Sequence, residues 1–82
     1  MILLEFRHLD TFRRASTELQ RQRIRCTAEP SGVSFQSSFI YLFEENVRTS
    51  PQRRALSRAR RFEAEDRSRQ RYASLPNLAV PL

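Results

Sequence analysis

The 82-residue sequence contains no lysine, no tryptophan, one cysteine, one histidine and one glycine. Each scarcity removes a class of structure. Cys26 alone cannot form an intramolecular disulfide, and with only His8 beside it no structural zinc set can be assembled. A single glycine, Gly32, excludes the glycine-rich loops that let a backbone approach phosphate, namely the P-loop, the dinucleotide fingerprint and the GxxG clamp of KH domains, and the segment 31–43 lacks the glycine pattern of the RRM signature. No apolar run approaches the ~20 residues that span a bilayer. The apolar opening, Met1–Phe6, is shorter than the core of a secretory signal. The expected setting is therefore the cytoplasm or nucleus, neither secreted nor in a membrane.

The same shortages bear on catalysis. Serine and cysteine nucleophiles, and hydrolytic metal sites, would all have to work through His8, and no carboxylate pair has a cleft around it. The chain is expected to be no enzyme, with no cofactor, no metal and no small-molecule substrate. Cys26 reads as a small hydrophobe.

What is present is arginine. All fifteen basic residues are Arg, against nine acids, for a net charge of +6. If Lys and Arg were drawn equally, such a run would be roughly a 10⁻⁵ event. Guanidinium makes bidentate bonds to phosphate and carboxylate and stacks on bases, which gives one account of the bias. A reading frame constrained by another gene gives a second, because Arg, Leu and Ser have six codons each. Arg, Leu and Ser supply 15, 9 and 9 residues of this chain. The charge is uneven: residues 1–32 carry +2, residues 33–50 carry −1, and residues 51–82 carry +5.

Periodicity divides the chain. Met1–Phe6 reads as a short strand or an apolar lead-in to a helix. Leu9, Phe12, Ala15 and Leu19 fall at helical spacing, with Asp10 or Thr11 as the cap. Ile24, Cys26 and Ala28 then alternate with polar residues, as in a half-buried strand. Glu29-Pro30-Ser31-Gly32 is a turn. Val33, Phe35, Ser37, Phe39, Tyr41 and Phe43 alternate after it, and Ile40 and Leu42 make the second face apolar too, which marks a central strand. Ser50 as N-cap and Pro51 as first helical residue open a long helix over 51–73, closed before Pro76. The expectation is an α+β fold in the order β-α-β-β-α, with an antiparallel hairpin of 22–28 and 33–43. Residues 1–75 form one small basic domain and 76–82 an extended tail. A core this small supplies only about 3–5 kcal/mol, so a homodimer through Phe12, Phe39, Tyr41 or Leu56 is also expected to be considered.

On the helical wheel Arg53, Arg60, Arg67 and Arg71 form one flank of the last helix, and Arg54, Arg58, Arg61 and Arg69 the other. Arginines near a helix N-terminus oppose its dipole, which a sequence chosen for helicity alone would avoid. Arg53, Arg54, Arg58, Arg60 and Arg61 are therefore the candidate contacts to nucleic acid, with RNA favoured, and Arg67 and Arg71 extend the row. Arg21, Arg23 and Arg25, on one face of the hairpin, could merge with them, and Tyr41 and Phe43 serve either as core or as stacking platforms. The function expected is that of a small accessory binding protein, such as a viral or phage protein. The alternative is an inhibitor or interaction module that docks the same arginines on an acidic protein surface. Asp66 falls in the apolar sector of the helix, either solvated or paired with Arg23 or Arg25. Ser16 and Ser74, in basic contexts, are candidate phosphorylation sites.

Overall fold

A computed structural model describes residues 1–30 and 37–74, with side chains through residue 69. The elements are β1 (Ile2–Phe6), α1 (Leu9–Arg21), β2 (Cys26–Glu29), β3 (Ser38–Leu42) and α2 (Ser50–Ser74), with one 3₁₀ turn at Glu44–Asn46 before α2. The α+β class and the β-α-β-β-α order are those the periodicity predicts. The tail 76–82 and the positions 33–36 lie outside the described residues.

The sheet order is β1-β3-β2, with both pairings antiparallel. Tyr41 stands between Leu3 and Thr27, and Phe39 between Glu5 and Glu29. β3 is central, as its two apolar faces require. Ser38, Ile40 and Leu42 point inward and are buried, while Phe39 and Tyr41 point outward and are half-buried. β1 and β2 run parallel on either side of β3, so α1 is a crossover between them. Both helices lie on one face of the sheet: Leu4, Phe6, Ile40 and Leu42 share a core with Phe12, Ala15, Leu19, Ile24, Ala55 and Ala59. The small alanines let the two helices approach closely. Cys26 is half-buried against this core, and burial pushes its thiol pKa up.

Four local expectations need correction. The first strand of the hairpin runs over Cys26–Glu29 and not 22–28, because residues 22–24 terminate α1 instead, and the described part of its partner ends at Leu42. Ile24 N–H donates to Leu19 O at 3.1 Å and Arg23 N–H to Gln20 O at 2.9 Å. This is the paired bonding of a Schellman end, and it places Arg23 at φ 55. Glycine ordinarily takes that left-handed position because it has no Cβ to clash. The buried contact between Ile24 and Leu19 completes the motif.

At the other helix the cap is Thr49, one residue before Ser50. Gln52 N–H donates to Thr49 Oγ1 at 3.2 Å, and Gln52 Oε1 accepts from Thr49 N–H at 3.1 Å and Arg48 N–H at 2.9 Å. That reciprocal pair is a capping box, whose Gln at the third helical position was the available signal. Gln52 Nε2 also donates to Gln22 O at 3.3 Å, tying the start of α2 to the end of α1.

Asp66 is neither solvated nor paired with Arg23 or Arg25. It is 2% exposed and accepts from Arg7 N–H, His8 N–H and the Thr11 hydroxyl at 2.5–3.1 Å. His8 occupies the N-cap of α1 without a side-chain bond to the helix, so neither Asp10 nor Thr11 is the cap. The N–H groups of Arg7 and the capping His8 are answered by a carboxylate from α2, which also meets the positive end of the helix dipole.

Leu3, Leu9 and Phe43 are about half exposed, and Phe39 and Tyr41 lie on the outward face of β3. Among the described residues nothing covers that face.

Candidate functional site

The antiparallel packing of α1 and α2 sorts the arginines into classes. On the flank of α2 that faces α1, Arg58 Nε lies 2.9 Å from Glu18 and Arg69 lies 2.9 Å from Asp10. From α1, Arg14 meets Glu65 at 3.1 Å while its guanidinium sits 4.4 Å from the centre of the Phe62 ring. These groups stitch the helices together. Solvent screening keeps such exposed pairs individually weak. Hydrogen bonding to Arg69 holds the Asp10 carboxyl below the ordinary carboxylate value.

The solvent side of α2 is different. With Ala55, Ala59 and Asp66 buried at its inward face, a rotation of about 100° per residue turns Arg53, Arg54, Arg60, Arg61 and Arg67 outward. All five are exposed. They fall in pairs seven residues apart, at 53/54 and 60/61, with Arg67 continuing the row. Over fourteen residues the row covers roughly 21 Å. Arg54, Arg60 and Arg61 have no hydrogen-bond or ion-pair partner among the described residues. Arg53 donates to Arg48 O at 2.8 Å and Ser50 Oγ at 3.2 Å, closing over the start of the helix. Arg67 approaches Glu63 at 3.9 Å, a loose contact with a side chain 71% exposed. The first turn of α2 holds no acid. A shallow depression of about 230 Å³ lies in the ridge between Arg53, Leu56, Ser57 and Arg60.

Other candidates are dispersed. Arg58 belongs to the helix–helix seam, and Arg71 is in α2 with its side chain beyond those described. Arg21, Arg23 and Arg25 do not share a strand face. Arg21 is in the last turn of α1, 3.4 Å from Glu18; Arg23 is the left-handed residue that follows; and Arg25 alone adjoins β2. Arg21 and Arg23 stand at the end of α1, which the Gln52–Gln22 contact ties to the start of α2, whereas Arg25 lies across the sheet from the helices, on the side of Tyr41 and Phe43. That side carries Glu5 and Glu29. Ser37 Oγ donates to Glu5 at 2.6 Å and Tyr41 OH to Glu29 at 3.2 Å. Burial, and then the Glu29 carboxylate, push the Tyr41 phenol pKa up.

Ser16 sits half-buried in the middle of α1, and Ser74 is the last residue of α2. His8 caps α1, and its Nε2 is buried without a partner among the described residues. Among the described residues no three His, Cys, Asp or Glu stand where they could hold a metal ion, and no helix is long and apolar enough to cross a membrane.

The wheel separated two flanks but could not say which one α1 would occupy. The Arg58–Glu18 and Arg69–Asp10 pairs join residues 40 and 59 positions apart, and no local spacing announces them. The outward face of the sheet was legible in principle from the alternation of Phe39, Tyr41 and Phe43; that no described residue covers it was not. Compared with protein-family models, with curated proteins and with solved structures, the chain matches none.

Proposed function

We propose that this chain is a small nucleic-acid-binding accessory protein, and that the exposed ridge of α2 is its contact surface, with RNA the favoured ligand. The observation that carries this reading is the set of Arg54, Arg60 and Arg61, outward on a rigid helix and without an internal acid. Arg53 and Arg67 extend the row at either end. Unpaired guanidinium groups held about two helical turns apart can meet successive phosphates, each contact releasing condensed counterions. The fork of Arg bonds phosphate through two N–H groups and stacks on unpaired bases, which suits the irregular geometry of folded RNA. Because α1 packs on the other side of α2, the ridge is presented without rearrangement of the fold.

The test is a binding titration of the whole chain against single-stranded and folded RNA and duplex DNA at several salt concentrations. Three to five phosphate contacts give a slope of log K against log salt of about −2 to −4. Replacing Arg54, Arg60 and Arg61 together by Gln should flatten that slope and remove most affinity. Arg69→Gln, which breaks only the seam to Asp10, should leave it nearly unchanged. Binding that is absent at low salt, or equally indifferent to both variants, refutes the proposal. A protein partner retained after nuclease treatment, and lost with the triple variant, would instead assign the ridge to an acidic protein surface.

A further inference from the structure

The outward sheet face, which no described residue covers, carries charge and apolar surface in an ordered way. Registered pairing puts Leu3, Tyr41 and Thr27 in one row and Glu5, Phe39 and Glu29 in the next. Phe43 continues β3 in extended conformation (φ −103, ψ 143), so the alternation places it outward beyond Tyr41. Arg25, exposed and one residue ahead of β2, falls in that same third row. Phe43 is 53% and Leu3 50% exposed, and the Phe39 and Tyr41 rings stack at 6.1 Å. The face thus has an apolar aromatic spine along β3, a cation at one end of the β2 edge and a carboxylate at the other.

Such a face is complementary to itself in one orientation. When two copies meet with a two-fold axis in the interface, perpendicular to the strands and passing over Tyr41, the strand direction reverses while the strand order is kept. Arg25 of each copy then lies over Glu29 of the other, Phe43 over Phe39, and Tyr41 over Tyr41. With the axis along the strands, acids would face acids. Face-to-face sheets pack about 10 Å apart with their strands nearly aligned, which such an arrangement allows. Arg25 has no partner among the described residues, and Glu29 has only the Tyr41 hydroxyl, leaving carboxylate lone pairs for a guanidinium.

We infer that the outward face of the β1-β3-β2 sheet is an interface for a second copy of this chain, joined by an Arg25–Glu29 pair repeated twice about the axis. The footprint of three strands and three rows is roughly 14 by 17 Å, well below the ~800 Å² per partner of a standard interface. Association is therefore weak and concentration-dependent. The two α2 ridges face away from each other in the dimer, so this inference does not rest on the ligand proposed for them.

Charge exchange tests it in solution, by sedimentation of the whole chain at several concentrations. The wild-type chain should approach a doubling of its weight-average mass as concentration rises. Arg25→Glu alone and Glu29→Arg alone should each remain monomeric. An equimolar mixture of the two single variants should dimerise, because each then meets its opposite across the axis, and the double variant R25E/E29R should dimerise by itself. Circular dichroism melts of the single variants control for folding. A wild-type chain that stays monomeric throughout overturns the inference. So does a dimer insensitive to both single variants, or a mixture that fails to recover association.

Discussion

Removing the Asp66 carboxylate should cost this protein most of its stability. Asp66 is buried under the start of α1, and three donors from another part of the chain converge on it: Arg7 N–H, His8 N–H and Thr11 Oγ1. Hydrogen bonds to a charged group contribute about 1.5–3 kcal/mol each, though not additively. Against them stands a desolvation cost of several kcal/mol for the carboxylate. The net effect of Asp66→Ala follows from what remains: two backbone N–H groups without an acceptor and a helix N-terminus without its anion, while the Thr11 hydroxyl falls back on His8 O at 3.0 Å. A loss of about 3 kcal/mol is expected, comparable with the ~3–5 kcal/mol available to a domain of this size. Asp66→Asn keeps the shape and one acceptor but turns an NH₂ toward donors, for about 2 kcal/mol. Urea denaturation followed by far-ultraviolet circular dichroism measures both. Glu65→Ala, one residue away and exposed, should stay within about 0.5 kcal/mol of wild type. A double-mutant cycle of Thr11→Val with Asp66→Asn should show non-additivity of at least about 0.5 kcal/mol. If Asp66→Ala proves as mild as Glu65→Ala, the carboxylate is hydrated and this account of the α1 N-terminus is wrong.

Other consequences are as direct. Thr49→Ala opens the capping box of α2 and should lower stability by about 1 kcal/mol, with Thr49→Ser restoring it; equal melts for the two variants would show that the box contributes nothing. Arg23→Gly relieves a left-handed residue costing ~1–2 kcal/mol against ~0.5–1 kcal/mol of added chain entropy, so thermal melting should rise slightly. A fall would mean that the Arg23 side chain supports the fold. For Asp10, Arg69 lowers the folded pKa beneath the ordinary value of 3.8, so the pair stabilises above that value and is lost as pH falls through the folded one. Carboxyl titration by NMR should find the Asp10 pKa rising toward 3.8 in Arg69→Ala; an unchanged midpoint would show that the contact is not populated in solution.

The order of elements is a property of the sequence alone, because each element is announced by neighbours in the chain. Alternation over 39–43 needs a strand, the stripe Leu9, Phe12, Ala15 and Leu19 needs a helix, and an acid-free opening of α2 beside Pro51 needs a cap just before it. Boundaries were less legible where a residue served a purpose its type does not advertise. Arg23 takes a position that glycine usually fills, so its residue type does not mark the end of α1.

The tertiary structure decided whatever depends on which surface meets which. Asp66, out of place in an apolar stripe, is explained only by the helix terminus that arrives from 55 or more residues earlier in the chain. The two arginine flanks of α2 are equivalent on a wheel. They become different when α1, carrying Glu18 and Asp10, takes Arg58 and Arg69 from one and leaves its Arg54 and Arg61, like Arg53, Arg60 and Arg67 of the other, to solvent. The outward aromatics of β3 likewise looked like core until both helices settled on the same side of the sheet. Local periodicity fixes which way a side chain points relative to its own backbone; only packing determines what it then faces.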